Sequence, residues 1–142
     1  EVATPGTTVV DGFESSYGFK TRKKFESGRD VMLRQAKALY SDPKKFAQHV
    51  RAGFGIWADW HMEDQPFSLT ELSNNYHTPE SLRQSIALAL DTSDEYVWIY
   101  TERMRWWNEK NAPQSYIDVI SLAREGPKPE PTNSNNGTAE TK

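Results

Sequence analysis

The amino-acid sequence predicts an α/β fold built from three consecutive βα units with parallel strands. Three runs of β-branched or aromatic residues are each followed by a stretch in which apolar residues recur at helical spacing. Strands that alternate with helices pair in parallel through right-handed crossovers. We therefore expect a parallel sheet covered by helices in a domain of residues 1–125, followed by a disordered tail of residues 126–142.

The first unit begins with residues 7–13, a β-branched run between two turn-forming segments that is typical of a strand. Residues 22–39 place apolar side chains three and four positions apart among Lys, Arg and Glu, which predicts an amphipathic helix. A short helix over residues 44–49 is expected next, because Asp42 can cap it and Pro43 suits a first helical position.

The second unit begins with a predicted strand over residues 50–57, although its two glycines weaken the strand pattern and indicate close backbone approach. A long polar loop over residues 59–75 follows, and loops of that length are often functional. Thr78 and Pro79 are typical of a helix start, and the polar residues 91–94 end that helix.

The third unit contains the clearest strand signal, residues 95–101, in which aromatic and β-branched side chains dominate. A last helix is predicted over residues 116–124, after Pro113. Residues 126–142 are rich in Pro, Asn, Thr and Gly and nearly free of apolar side chains, so they bury too little surface to compensate the entropy of ordering.

Composition excludes several classes of protein. A chain of 142 residues has room for one domain, which excludes a two-domain enzyme. With 17 basic and 20 acidic residues and no basic stripe, neither nucleic acid nor a membrane is expected as a partner. The absence of cysteine excludes a thiolate nucleophile, a disulfide framework and a cysteine metal site. No cofactor motif is present, and the acidic loop around His61 matches no defined metal site.

Carboxylates and aromatic side chains follow all three predicted strands. Ligands collect at the carboxyl ends of parallel strands, because the βα loops converge there. Ordinary loops also contain such residues, but their agreement at three successive strand ends favours a binding site. The candidates are Glu14 and Tyr17 after the first strand, Asp59, Trp60 and His61 after the second, and Glu102, Arg103, Trp106 and Trp107 after the third.

These residue types suit a saccharide, since a pyranose packs its C–H face on an aromatic ring and directs its hydroxyls to polar acceptors. Glycoside hydrolysis needs two carboxyl groups, one as acid and one as nucleophile or base. We therefore expect Glu14 and Glu102 to be catalytic, with Asp59 as a third candidate, and a poly- or oligosaccharide as partner. Tyr17, Trp60, His61, Arg103, Trp106 and Trp107 are the predicted substrate-binding residues.

Four segments together resemble the closing portion of glycoside-hydrolase-like (β/α)8 barrel proteins of environmental bacteria. They are residues 11–14 (DGFE), residues 53–57 (GFGIW), residues 93–102 (SDEYVWIYTE) and the pair Trp106-Trp107. The resemblance covers about residues 7–125 and implies the last three βα units of a TIM barrel, with five preceding units absent. A chain that opens with Glu1 rather than Met agrees with that interpretation.

The resemblance carries over no catalytic role. Well-known retaining barrel hydrolases place a nucleophilic Glu after their seventh strand and an acid/base Glu after their fourth. Here the corresponding seventh strand ends in Asp59, and the fourth is missing. What the resemblance does imply is a sugar-stacking Trp after the eighth strand, for which Trp106 or Trp107 is the matching position.

Three functions remain open at the level of sequence. The first is a C-terminal fragment of a carbohydrate-active hydrolase, for which a secreted or periplasmic location is favoured if the substrate is a polysaccharide. The alternative is a non-catalytic carbohydrate-binding or interaction module. In the third, a non-enzymatic α/β domain, the tryptophans belong to the core.

Two structural expectations accompany these functions. Trp57 and Trp98 lie within strands and are expected in the core, whereas neighbouring Trp106 and Trp107 face opposite sides if extended, so at least one is exposed. A sheet of three parallel strands has two open edges. We also expect Val9, Ile56, Val97 and Ile99 to need further strands to cover them, and therefore predict marginal folding in isolation.

Overall fold

A computed structural model of the protein describes residues 6–108 and 110–127 and has a mixed helix and strand architecture of the α/β class. The predicted tail therefore lies, from residue 128 onward, outside the described residues. The described part of the chain contains no helix with the length and apolar character needed to cross a bilayer. The strands are β1 (Val9–Asp11), β2 (Val50–Ala52), β3 (Phe54–Trp57) and β4 (Val97–Tyr100), and the α-helices are α1 (Arg22–Asp30), α2 (Pro43–His49), α3 (Pro79–Thr92) and α4 (Gln114–Leu122).

The strands are parallel, as predicted, and residues 50–57 form the middle one. β1 pairs in parallel with β2, and β3 pairs in parallel with β4. At the junction, the N–H of Gly53 donates to the Asp11 carbonyl at 2.8 Å, whereas the N–H of Phe54 donates to the Tyr96 carbonyl at 3.4 Å. Because successive N–H groups of a strand point to opposite sides, β1 and β4 flank this middle strand.

The helices cover one face of the sheet. Phe54 and Ile56 point to that face and are completely buried, and the ring of Phe25 on α1 packs edge-on against Phe54 at 5.1 Å. Val97 and Ile99 pack against the same core, so the expectation that they and Ile56 need further strands is wrong. The buried core cluster also includes Met32, Leu82, Ile86, Leu88, Met104 and Tyr116.

Helix starts follow the local sequence closely. The carboxylate of Asp42 accepts the N–H groups of Lys44 and Lys45 at the start of α2, and the Thr78 hydroxyl accepts the N–H of Ser81 at the start of α3. The helix predicted over residues 22–39 is divided instead. It is an α-helix only to Asp30, and continues as a wide π-type turn and then a tight 3-10 turn that ends at Leu39.

Candidate functional site

The turn after β1 is fixed to the middle strand by a buried serine. The Ser16 hydroxyl donates to the carbonyl of Gly55 at 2.8 Å and accepts its N–H at 3.0 Å. The carbonyl of Tyr17 then accepts the N–H of Trp57 at 3.3 Å. These bonds extend the edge of the sheet beyond β1 and place Glu14 and Tyr17 at the carboxyl end of the middle strand.

Four partly exposed aromatic side chains occupy the sheet face opposite the helices, and we call Tyr17, Trp57, Trp98 and Tyr100 the aromatic face. The rings of Tyr17 and Tyr100 are stacked, with centroids 5.6 Å apart and planes at 19°. Trp57 packs edge-on against both phenols, at 5.9 Å from Tyr17 and 5.4 Å from Tyr100. Trp57 and Trp98 are therefore not core residues, contrary to expectation.

A missing side chain makes this aromatic packing possible. A Cβ atom on Gly55 would lie 2.7 Å from the Trp98 ring and 2.9 Å from the Tyr17 ring. Only glycine fits between these two rings, which explains why a glycine interrupts an otherwise apolar strand.

Each phenol of the stacked pair interacts with a predicted catalytic carboxylate. The charge of Glu14 acts on Tyr17, and the Tyr100 hydroxyl donates to Glu102 Oε1 at 3.1 Å. Burial, together with the charge of Glu14, raises the pKa of Tyr17, and the hydrogen bond to Glu102 raises the pKa of Tyr100. Both phenols therefore keep their protons at neutral pH, and Tyr100 acts as a donor to Glu102.

His61 joins the second strand end to this cluster. Its Nε2 atom lies 3.5 Å from Glu102 Oε2, and its Nδ1 atom lies 3.2 Å from the Asp59 carbonyl. The imidazole also packs edge-on against Trp57 at 5.3 Å. The structure thus brings Glu14, Tyr17, His61 and Glu102 to the same end of the sheet, as the sequence predicts.

Asp59 is completely buried and has both carboxylate oxygens occupied. They accept the indole N–H of Trp57 at 2.9 Å and the backbone N–H groups of Glu102, Arg103 and Met104, with shortest distances of 3.1, 2.7 and 2.8 Å. Four N–H groups are thus directed at the two oxygens of this carboxylate. The geometry therefore favours a role in positioning the turn of residues 102–104 over the predicted catalytic role.

The remaining predicted binding residues lie in different surroundings. Trp60 packs between Trp57 and Tyr76, with ring centroids at 5.2 and 5.5 Å. Trp106 packs against the core, whereas Trp107 is 91% exposed, which confirms that at least one of the pair faces solvent. Both belong to a 3-10 turn rather than an extended segment. Arg103 is exposed beside Glu102.

Sequence reasoning missed Tyr100 as a site residue and misplaced Trp57 and Trp98. A signal was available, because Trp98 and Tyr100 alternate with apolar residues in β4, and Gly55 and Trp57 alternate in β3. Period-two alternation places these side chains on one face of the sheet, whereas the candidate site was predicted only from residues that follow the strands.

Neither a metal centre nor a known relative identifies the site. Across residues 6–108 and 110–127, no group of three or more His, Asp or Glu side chains is arranged to hold a metal ion. The chain matches no protein-family model, no curated protein and no solved structure. What points to a function is therefore the geometry of the strand ends.

Proposed function

We propose that this chain supplies part of a saccharide-binding, glycoside-hydrolysing site. The observation that supports it best is a stacked phenol pair that interacts with two carboxylates, Tyr17 with the charge of Glu14 and Tyr100 through a hydrogen bond to Glu102. Two carboxyl groups beside an aromatic platform are what glycoside hydrolysis uses. The platform binds the C–H face of a sugar ring, and the carboxylates act on its glycosidic bond.

The proposed setting is the carboxyl edge of a (β/α)8-type barrel. Three strands lie side by side in chain order, all parallel, with helices on one face. Among the described residues, β1 and β4 pair with the middle strand alone, so each has an outer edge at which a further parallel strand can add. In such barrels the active site lies at the carboxyl ends of the strands, where Glu14 and Glu102 are found.

The stacked pair gives the carboxylate of Glu102 a defined position. The protonated phenol of Tyr100 donates to Glu102 and limits the rotation of that carboxylate, and His61 lies on its other oxygen. Orientation of this kind is worth a large part of a catalytic rate, because reacting groups then need little reorganisation.

Tryptophan fluorescence and hydrolysis assays on the 142-residue chain test the proposal. We expect oligosaccharides to reduce acrylamide quenching of the tryptophan fluorescence, with the 91% exposed Trp107 removed by Trp107→Phe to lower the background signal. We expect Glu14→Gln and Glu102→Gln each to lower release of reducing ends by roughly a thousandfold while binding is retained. The matched control is Glu95→Gln, an exposed carboxyl that precedes β4 at the opposite end of the sheet.

The outcomes separate hydrolysis from binding alone. Saccharide protection without any hydrolysis by the unaltered chain, unchanged in Glu14→Gln and Glu102→Gln, would support a non-catalytic binding module. If no oligosaccharide alters the quenching of the tryptophan fluorescence, the carbohydrate function is wrong.

A further inference from the structure

A second feature of the structure adjoins Glu102. It is a cleft of about 370 Å³, within the range of small-ligand sites. Three cationic side chains line it, those of Arg103, Arg105 and Lys110, together with the apolar side chains of Phe67 and Leu69. We call it the basic cleft. Glu102 belongs both to this cleft and to the carboxylate pair, so a ligand in the cleft touches the proposed catalytic group.

The backbone that presents these cations is fixed. Asp59 accepts the N–H of Arg103 at 2.7 Å. The N–H of Arg105 donates to the Lys110 carbonyl at 2.9 Å, which closes the loop between them. Recognition groups held by a rigid backbone lose less entropy when a ligand binds.

The cations of the cleft are not neutralised by the rest of the described structure. Within residues 6–108 and 110–127, the ion pairs of the structure involve none of Arg103, Arg105 and Lys110. Among the described residues that line the cleft, three cationic side chains accompany one carboxylate, that of Glu102.

We propose that the basic cleft binds the anionic group of an acidic saccharide, a ring carboxylate or a sulfate ester, and so makes acidic polysaccharides the substrate class. This inference rests on the proposed function and specifies its substrate. A neutral sugar has no group that uses three cations, whereas guanidinium groups bind carboxylates and sulfates through paired hydrogen bonds. Phe67 and Leu69 provide the apolar surface for a sugar ring.

A densely charged polyanion such as nucleic acid fits the cleft less well. The carboxylate of Glu102 lies among the cations and repels closely spaced phosphates, and the sequence has more acidic than basic residues, 20 against 17. An acidic saccharide carries one anionic group per sugar, next to a neutral glycosidic bond. Its anionic group would face the three cations of the cleft, and the neutral bond would lie beside the carboxylate of Glu102.

Calorimetric titration of the 142-residue chain tests this inference with two matched ligand pairs. The first pair is oligogalacturonate and its methyl ester, in which each charged carboxylate is replaced by a neutral ester. The second is a sulfated galactan oligosaccharide and its desulfated form. We expect one acidic ligand to bind at least about tenfold more tightly than its neutral partner, and to lose that advantage when salt rises from about 50 mM to about 500 mM.

Variants locate the effect. We expect Arg103→Gln and Arg105→Gln each to weaken binding of the acidic ligand by about five- to tenfold, and by more than they weaken binding of the neutral ligand. Lys45→Gln is the matched control, since Lys45 is exposed at the start of α2, outside the cleft, and its loss removes the same charge. Near-ultraviolet circular dichroism verifies that each variant is folded.

Each other outcome overturns the inference. Equal affinity for charged and neutral ligands, or an acidic preference that survives Arg103→Gln and Arg105→Gln, shows that the basic cleft is not the determinant, while the proposed function stands. Binding of neither member of either pair removes the proposed function and the inference together. Tighter binding of a single-stranded DNA oligomer, lost in Arg103→Gln, makes the cleft a general polyanion site.

Discussion

At the scale of single residues, the most consequential side chain is that of Asp59, which is completely buried. Asp59 accepts hydrogen bonds from three successive backbone N–H groups of the turn at residues 102–104. It thereby connects the loop after β3 to the loop after β4. Glu102 and Arg103 both depend on this connection, because their backbones are bound directly to the Asp59 carboxylate.

Replacing Asp59 tests that connection. In Asp59→Asn, one acceptor oxygen becomes a donor that faces N–H groups, so we expect a loss of roughly 2–4 kcal/mol in the free energy of unfolding. Urea unfolding followed by tryptophan fluorescence measures it. Asp64→Asn, at an exposed loop position, is the control and is expected to change stability little. Equal effects of the two substitutions would contradict the assigned role.

His77 gives the molecule a pH dependence. Burial lowers its pKa from the ordinary 6.5 to about 4, assisted by the charge of Lys20 and opposed by its bond to the Tyr17 carbonyl. Between about pH 6.5 and pH 4, His77 therefore binds a proton in the unfolded chain but not in the folded chain. The stabilisation is complete above pH 6.5 and is lost as pH falls toward 4, by about 3 kcal/mol in total.

Urea midpoints measured at half-unit pH steps test this prediction. We expect His77→Gln to flatten the dependence, because Gln can still donate to the Tyr17 carbonyl but does not take up a proton. His49→Gln is the control and should retain the slope of the unaltered chain. A slope that is the same in the His77 variant would assign the effect to other groups.

The sequence predicted the positions of the candidate site residues that directly follow a predicted strand. Glu14, His61 and Glu102 meet because parallel strands end at one edge, a consequence of topology alone. The role of Asp59 was not predictable in this way. It depends on which N–H groups a distant turn presents to a buried carboxylate, and neither periodicity nor spacing encodes that geometry.

At the scale of elements, side-chain chemistry predicted where helices begin. It did not predict the change from an α-helix to π-type and 3-10 turns within residues 22–39. The caps of α2 and α3 are local interactions that the sequence shows directly. The π-type turn over Val31–Gln35 shifts the hydrogen-bond partner by one residue, while the apolar side chains still recur at near-helical spacing. The periodicity therefore did not reveal where α1 ends.

The middle strand shows the same limit. Residues 50–57 were predicted as one strand, and they divide at Gly53, where pairing changes from β1 to β4. A Cβ atom on Gly53 would lie 2.7 Å from Val10 Cγ1. The glycine indicated close approach, but the exchange of partners depends on two strands far away in the chain.

Two threonines at helix starts give a matched test of capping. Thr78 accepts an N–H through its hydroxyl at the start of α3, whereas Thr21 precedes α1 and makes no such bond. We expect Thr78→Ala to cost about 1 kcal/mol of unfolding free energy and Thr21→Ala only a few tenths. Chemical unfolding measures both. A larger loss in Thr21→Ala would contradict the assignment of the cap.

At the scale of the whole molecule, the two faces of the sheet differ in how deeply their side chains are buried. Helices bury Phe54 and Ile56 on one side, whereas the aromatic face remains partly exposed on the other. Outer edges of β1 and β4 carry no partner strand among the described residues. The parallel α/β class was predictable from element order, but which face the helices would cover was not.

This asymmetry predicts limited stability. We expect the 142-residue chain to unfold in a broad thermal transition, with a free energy of unfolding at or below about 5 kcal/mol, because half of the sheet surface contributes little burial. Near-ultraviolet circular dichroism reports the transition through the packed indoles. A sharp transition near 10 kcal/mol, about twice that value, would contradict the expectation.

The hydrogen bonds from the turn of residues 102–104 to Asp59 have a consequence for how the ligand preference of such a site can change. All three bonds to residues 102–104 go to backbone N–H groups, which every residue except proline possesses. Side chains at positions 102 and 103 are therefore interchangeable without disturbing the turn that carries them. The fold keeps the geometry constant while the chemistry of recognition varies, so a new ligand preference at this site requires only a change of side chain and not a new loop.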